Sequence, residues 1–185
     1  MAFFRKSAPT EPMAVTMAGV KMGDRLLAVG ARDSALIAAL AAKTGLSGRA
    51  CAVDADAERV KAAGPAIERE GSLVEVTRAP WGMLPYDEKS FDVVVVRDVL
   101  MTLPADARSL AAGELLRVLR PGGRAVVIES APRGGIGALF NKIEMDSTYV
   151  SSGGAVKALS RAGFAATRVL AEHEGLIFVE GVKRA

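Results

Sequence analysis

Residues 114–129 read ELLRVLRPGGRAVVIE, and the order of types in that stretch decides the fold. Its first part completes a helix that the composition predicts over 104–119. Pro121 cannot continue the helical ladder, and Gly122-Gly123 supply the backbone freedom to turn straight into RAVVIE. That last run is apolar without alternation, as expected of a strand covered on both faces. A helix feeding directly into such a strand is half of a βαβ unit, so the neighbouring segments should repeat the pattern.

They do. Strand-like runs are predicted at 25–29, 49–53, 73–78, 91–96 and 124–129. Helices fall between them at 34–44, ending at Gly45, and at 57–69, ending near Gly71, as well as at 104–119. Each crossover that carries a helix makes its flanking strands parallel and right-handed in connection. A further helix over 152–162 closes at Gly163, and two strand runs, 165–171 and 176–182, follow it. The connection between these two, Glu172-His173-Glu174-Gly175, is too short for anything but an antiparallel hairpin. The expected architecture is α/β, a doubly wound and mostly parallel sheet with a C-terminal antiparallel hairpin at its edge.

A chain of 185 residues with 50% hydrophobic and 24% charged residues has material for one core, expected over 12–185 behind a flexible N-terminal segment, 1–11. The 24 Lys and Arg are spread among 21 Asp and Glu, leaving a net charge of +3, which reads as a solvated surface and excludes a nucleic-acid partner. The lone Cys51, inside Ala50-Cys51-Ala52-Val53, makes no disulfide or thiol metal cluster and reads as a buried small side chain in a cytoplasmic protein. No apolar run is long enough to cross a membrane, and the N-terminus lacks the apolar core of a secretory signal. No metal site is expected.

The stretch at 114–129, taken with LPYDEKSFDVVVV at 84–96, resembles the class I S-adenosylmethionine-dependent methyltransferases of the ubiquinone and menaquinone biosynthesis type. The resemblance runs from about residue 19 to 183, because GDRLLAVG at 23–30, the acidic residue Asp54 and the late Ala162-Gly163-Phe164 fall in family order. It implies a seven-stranded sheet of order 3-2-1-4-5-7-6, S-adenosylmethionine as cofactor and S-adenosylhomocysteine as product. A ligand in such a sheet lies beyond the carboxyl ends of the strands, where connections diverge to either side of the first.

That crevice is bounded here by residues 29–34, 54–56, 79–81 and 97–99. The family's first loop has the form (D/E)xGxGxG, and this chain has Ala28-Val29-Gly30-Ala31-Arg32-Asp33-Ser34, in which only Gly30 matches a glycine. The resemblance places Val29, Gly30 and Ala31 against the methionine part of the cofactor. Ala28 stands where the family has an acid, and Arg32 is either a partner for the cofactor carboxylate or a solvated arginine. Asp54 is predicted to receive the ribose hydroxyls, with Ala55 beside the adenine, while Asp56 suits the cap of the following helix. Pro80 replaces a family Asp or Asn. Trp81 covers the adenine or packs its loop onto the core. Arg97 lines the methionine end through its carbonyl or is a surface charge.

Methyl transfer is chiefly a positioning task, with a base needed only where the acceptor must lose a proton. Asp98, Tyr86, Glu144, Asp146 and Tyr149 are candidate bases, and no motif assigns any of them a role. His173, in the hairpin turn, reads as a solvated residue. Residues 131–154 hold Arg133-Gly134-Gly135 and an apolar run, 136–140, readable as a substrate lid or as a helix on the sheet edge. A large acceptor would need a second subunit, in a homodimer, to enclose it. The leading function is methyl transfer to a small or lipid-like acceptor. The alternative is a non-catalytic methyltransferase-like binding or partner module that no longer holds the cofactor. A nicotinamide-dependent reductase is disfavoured by the terminal hairpin and the lack of a catalytic segment.

Overall fold

The computed structural model describes residues 12–131 and 144–185. Among these residues one sheet forms from β1 (Arg25–Val29), β2 (Arg49–Asp54), β3 (Glu75–Arg78), β4 (Phe91–Arg97), β5 (Leu119–Ser130), β6 (Ala165–His173) and β7 (Leu176–Val182). Its order is β3-β2-β1-β4-β5-β7-β6, the order the resemblance implied. The first five strands pair in parallel, and β7 lies antiparallel to both β5 and β6. The hairpin turns through Glu174 and Gly175, both at positive φ (49° and 76°), as a two-residue turn matched to strand twist requires.

Helices α1 (Pro12–Ala18), α2 (Ser34–Thr44) and α3 (Ala57–Arg69) cover one face, and α4 (Ala105–Val118) and α5 (Gly154–Ala162) cover the other. The unbroken valine run of β4 shows why alternation is missing. Val94 and Val96 pack with Leu115, Val118 and Leu159 from α4 and α5, while Val93 and Val95 pack with Ala14, Ala18, Leu36 and Leu40 from α1 and α2. Both faces are dry, so both sets of side chains are apolar, and each fully buried Val or Leu contributes roughly 1.5–3 kcal/mol. Over β1 and β2, the small Ala28 and Ala52 let Ile37, Ala38, Ala63 and Ile67 of α2 and α3 close onto the sheet. Cys51 is fully buried in the opposite cluster, as its apolar setting required.

The PGG segment departs from expectation. Helix α4 stops at Val118, and Leu119 already stands on β5 opposite Phe91, so Pro121-Gly122-Gly123 lies within the strand and is not a turn before it. The parallel ladder resumes at Val93 and Arg124, leaving residues 120–123 to bulge against Asp92 alone. The Asp92 carboxylate holds this corner, accepting from the N–H of Arg25 at 2.7 Å and from the guanidinium of Arg120. A Cβ on Gly123 would come within 2.9 Å of the Arg120 carbonyl and 3.0 Å of the Asp92 carbonyl, so close approach fixes that glycine.

Strand β3 begins at Glu75, two residues later than predicted, because Leu73 is 87% exposed and has no layer above it. Helix α1 and a 3₁₀ turn at Leu100–Thr102 were not foreseen. Among the described residues no helix is long and apolar enough to cross a membrane. The flexible segment expected at 1–11 and the lid features of 133–140 lie outside the described residues.

Candidate functional site

The carboxyl ends of β1, β2 and β4 meet at Gly30, Asp54 and Arg97. Gly30 leaves β1 at φ +97°, and a Cβ there would lie 2.7 Å from the Arg97 carbonyl and 2.9 Å from Val99, so only glycine lets the first loop pass this close to β4. The next residue, Ala31, is buried and donates its N–H to the Asp54 carboxylate at 2.8 Å. One glycine and one carboxylate thereby hold the loop in this chain. Asp33 then caps α2, accepting from Leu36 N–H at 3.0 Å.

Asp54 is 1% exposed and is the last residue of β2. Its oxygens also accept from the Asp56 N–H at 2.9 Å and from the Arg59 Nε, which lies 3.0 Å from each of them. Asp56 caps α3 by accepting from the N–H groups of Glu58 and Arg59, as its position before that helix predicts. Ala55 is partly buried, and its carbonyl accepts from Arg78 at 3.3 Å. Arg32 is exposed, and so is Pro80.

Trp81 is half-buried, packed on the core cluster that contains Ala79, Leu84 and Val99. Its loop is clamped from α4. The Leu84 N–H donates to Glu114 at 2.7 Å, and Arg117 donates to the carbonyls of Tyr86 at 2.8 Å and Leu84 at 3.1 Å. Arg117 also pairs with Glu114, holding that carboxyl below its ordinary range. The two stretches that carried the resemblance are therefore bonded to each other, a relation that their separation in sequence conceals.

Arg97 is largely buried, with its Nε 3.4 Å from Asp98. Its Nη1 is out of contact with solvent and has no hydrogen-bond partner among the described residues. A guanidinium nitrogen buried without an acceptor is costly. Asp98 adopts positive φ (51°) and accepts from the N–H of Ser130 at 2.6 Å and its hydroxyl at 3.1 Å, tying the ends of β4 and β5 together.

A second carboxyl, which sequence reasoning missed, stands one residue before the end of β5. Glu129 is 5% exposed, and the Tyr149 hydroxyl lies 2.6 Å from both of its oxygens. Burial pushes Glu129 up to about 7, and the nearby Asp98 charge adds to the rise, while Tyr149, the Met101 N–H and Arg108 oppose it. Arg108 lies over the Tyr149 ring, 4.7 Å from its centroid, and bonds Asp146 at 3.0 Å and Ser152 at 2.9 Å. Glu129 is the last residue of the quoted stretch; only its place at a strand's carboxyl end could have drawn notice.

The five candidate bases now separate. Tyr86 is set edge-on to Phe91, with ring centroids 5.0 Å apart, and burial pushes its phenol up to about 12. Glu144 is exposed, and Asp146 is bound to Thr148 and Arg108, which lower it. Tyr149 and Asp98 belong to the Glu129 cluster. His173 ends β6 opposite Leu176, in the hairpin. A pocket between α4 and α5, lined by Arg108, Ser152 and Arg161 among others, includes none of the predicted cofactor residues.

Sheet order, hairpin and crevice together define an α/β protein of the class I methyltransferase type. Residues 27–127 match the family described as a methyltransferase domain, and the chain belongs to that family, the class I S-adenosylmethionine-dependent methyltransferases. An uncharacterised protein of Mycobacterium tuberculosis is 32% identical over 145 residues, 78% of this chain and 51% of that protein. The ubiquinone/menaquinone biosynthesis C-methyltransferase of Teredinibacter turnerae is 29% identical over 117 residues, 62% of this chain and 46% of that protein. The chain thus spans about half the length of these relatives. Among solved structures, a SAM-dependent methyltransferase from Aquifex aeolicus matches with a TM-score of 0.74 at 20% identity, over 92% of this chain and 87% of its own. The [4+2]-cyclase SpnF matches with a TM-score of 0.69 at 18% identity, over 94% and 79% respectively. A shared fold leaves the reaction to be argued from the site.

Proposed function

We propose that this chain binds S-adenosylmethionine in the crevice between β1, β2 and β4 and transfers its methyl group to a small or lipid-like acceptor. The observation that carries the reading is the meeting of a glycine-only turn at Gly30, the buried Asp54 carboxylate and the Arg97 guanidinium at the point where the connections diverge. In this reading Asp54 receives the ribose hydroxyls once Arg59 moves aside, with Ala55 and Trp81 flanking the adenine. The backbone of Val29, Gly30 and Ala31 runs along the methionine part, and Arg97 offers its free Nη1 to the carboxylate. The cofactor supplies an electrophilic sulfonium methyl. Glu129, poised near neutrality beside Tyr149, is the carboxyl at the end of β5 that takes a proton from the acceptor. A cytoplasmic setting and a homodimer enclosing larger acceptors belong to the same reading.

The alternative, a binding module without catalysis, is favoured by one observation: Asp54 is already engaged by Arg59. Calorimetric titration with S-adenosylmethionine and S-adenosylhomocysteine separates the two. Micromolar binding, about −8 kcal/mol, that weakens at least tenfold in Asp54→Asn is the expected result. No heat up to millimolar ligand would leave a methyltransferase-like scaffold.

A further inference from the structure

The acceptor sites of Asp54 are filled. A carboxylate has about four lone-pair positions, and here the N–H groups of Ala31 and Asp56 take one on each oxygen. Arg59 takes the remainder: its Nε lies 3.0 Å from both oxygens and its Nη2 lies 3.0 Å from Oδ1. A ribose diol needs two of these positions. We infer that Arg59 sets the strength and selectivity with which the crevice holds an adenosine ligand, because its guanidinium occupies on Asp54 the places that the diol must take.

The inference rests on the reading of the crevice as an adenosine site and adds a specificity-determining residue to it. Arg59 stands in the first turn of α3, five residues after Asp54, where the helix N-terminus brings its side chain back over the end of β2. Its side chain is 33% exposed, so the guanidinium has room to leave. Asp56 waits as a second partner, 3.5 Å from Nη1 with its own side chain 42% exposed. The ligand therefore exchanges an ion pair, in which both partners are charged, for hydroxyl–carboxylate bonds in which only the acceptor is charged, and Arg59 moves outward to Asp56 and water.

The test is titration of the full chain and its Arg59→Met, Asp54→Asn and double variants with S-adenosylhomocysteine, methylthioadenosine and 2′,3′-dideoxyadenosine. Methionine keeps the unbranched stem and removes the charge. The expected result is about tenfold tighter binding of both diol-bearing ligands by Arg59→Met, equivalent to about 1.4 kcal/mol, with no gain for the dideoxy compound. In the double variant the gain over Asp54→Asn should vanish, because the effect runs through that carboxylate. Thermal melts establish that each variant is folded, and Arg59→Gln replaces Arg59→Met if that chain does not fold. Unchanged or weaker binding by a folded Arg59 variant, beside a wild type that binds, overturns this inference and leaves the cofactor reading standing. Absence of binding by every chain overturns both.

Discussion

Asp54 and Glu129 both stand near the ends of core strands with their carboxyl groups out of solvent, yet they keep different company. Asp54 meets two backbone N–H groups and a guanidinium, whereas Glu129 meets a phenol, one N–H and the neighbouring Asp98. Glu129 is accordingly raised to about 7 in the folded chain, against about 4.3 for an unfolded glutamate. The folded state then binds the extra proton, so the contribution of Glu129 to stability is fully present below pH about 4 and is lost as pH rises toward 7. At 1.36 kcal/mol per unit, the loss is about 4 kcal/mol. Urea unfolding of Glu129→Gln, which cannot ionise, should show less decline between pH 5 and pH 8 than the wild type. Equal slopes would mean that Glu129 does not titrate in that window. Asp54 was legible from its place after the second strand. Arg59 and Glu129 were not, because nothing in a one-dimensional pattern shows which charges face each other across a loop.

At the scale of elements, α4 holds the 79–86 loop by polar side chains as well as by apolar contact. Arg117 makes two bonds to loop carbonyls and orients Glu114, which receives the Leu84 N–H. Arg117→Ala leaves two carbonyls and a carboxylate without that partner, at a cost of roughly 2–3 kcal/mol. Trp81, the only tryptophan in the chain, stands in the same loop and reports on it. The variant should melt at lower temperature and shift Trp81 emission to the red before global unfolding; unchanged emission and melting would show the clamp to be dispensable. Helix boundaries here were legible to within a few residues, and Gly122 does use the predicted backbone freedom, at φ +74°, but the segment's place inside β5 was not foreseen. The two glycines have different causes: Gly122 supplies positive φ, whereas Gly123 marks the close approach to Asp92, which only the neighbouring strand reveals.

For the whole molecule, the C-terminal hairpin closes an edge that the parallel strands leave open. β7 pairs with β5 along Arg124–Ser130, and Phe178 and Val179 fill both faces of the core. A chain ending at Gly163 should therefore lose its cooperative thermal transition and aggregate through β5, since it exposes unpaired strand and core together. A soluble truncated chain with an unchanged transition would show the hairpin to be an accessory. By itself the amino-acid order determined the alternation of strands and helices, the parallel core and the antiparallel return, because two-face burial, helix stops and turn length are local properties of residue type. The resemblance supplied the strand order and pointed to Asp54. Only the tertiary structure decided that Arg59 sits on that carboxylate, that the Tyr149 hydroxyl donates to Glu129, and that Glu114 and Arg117 grip the loop from α4. Those relations join residues brought together by packing, and charge and burial act through space, not along the chain.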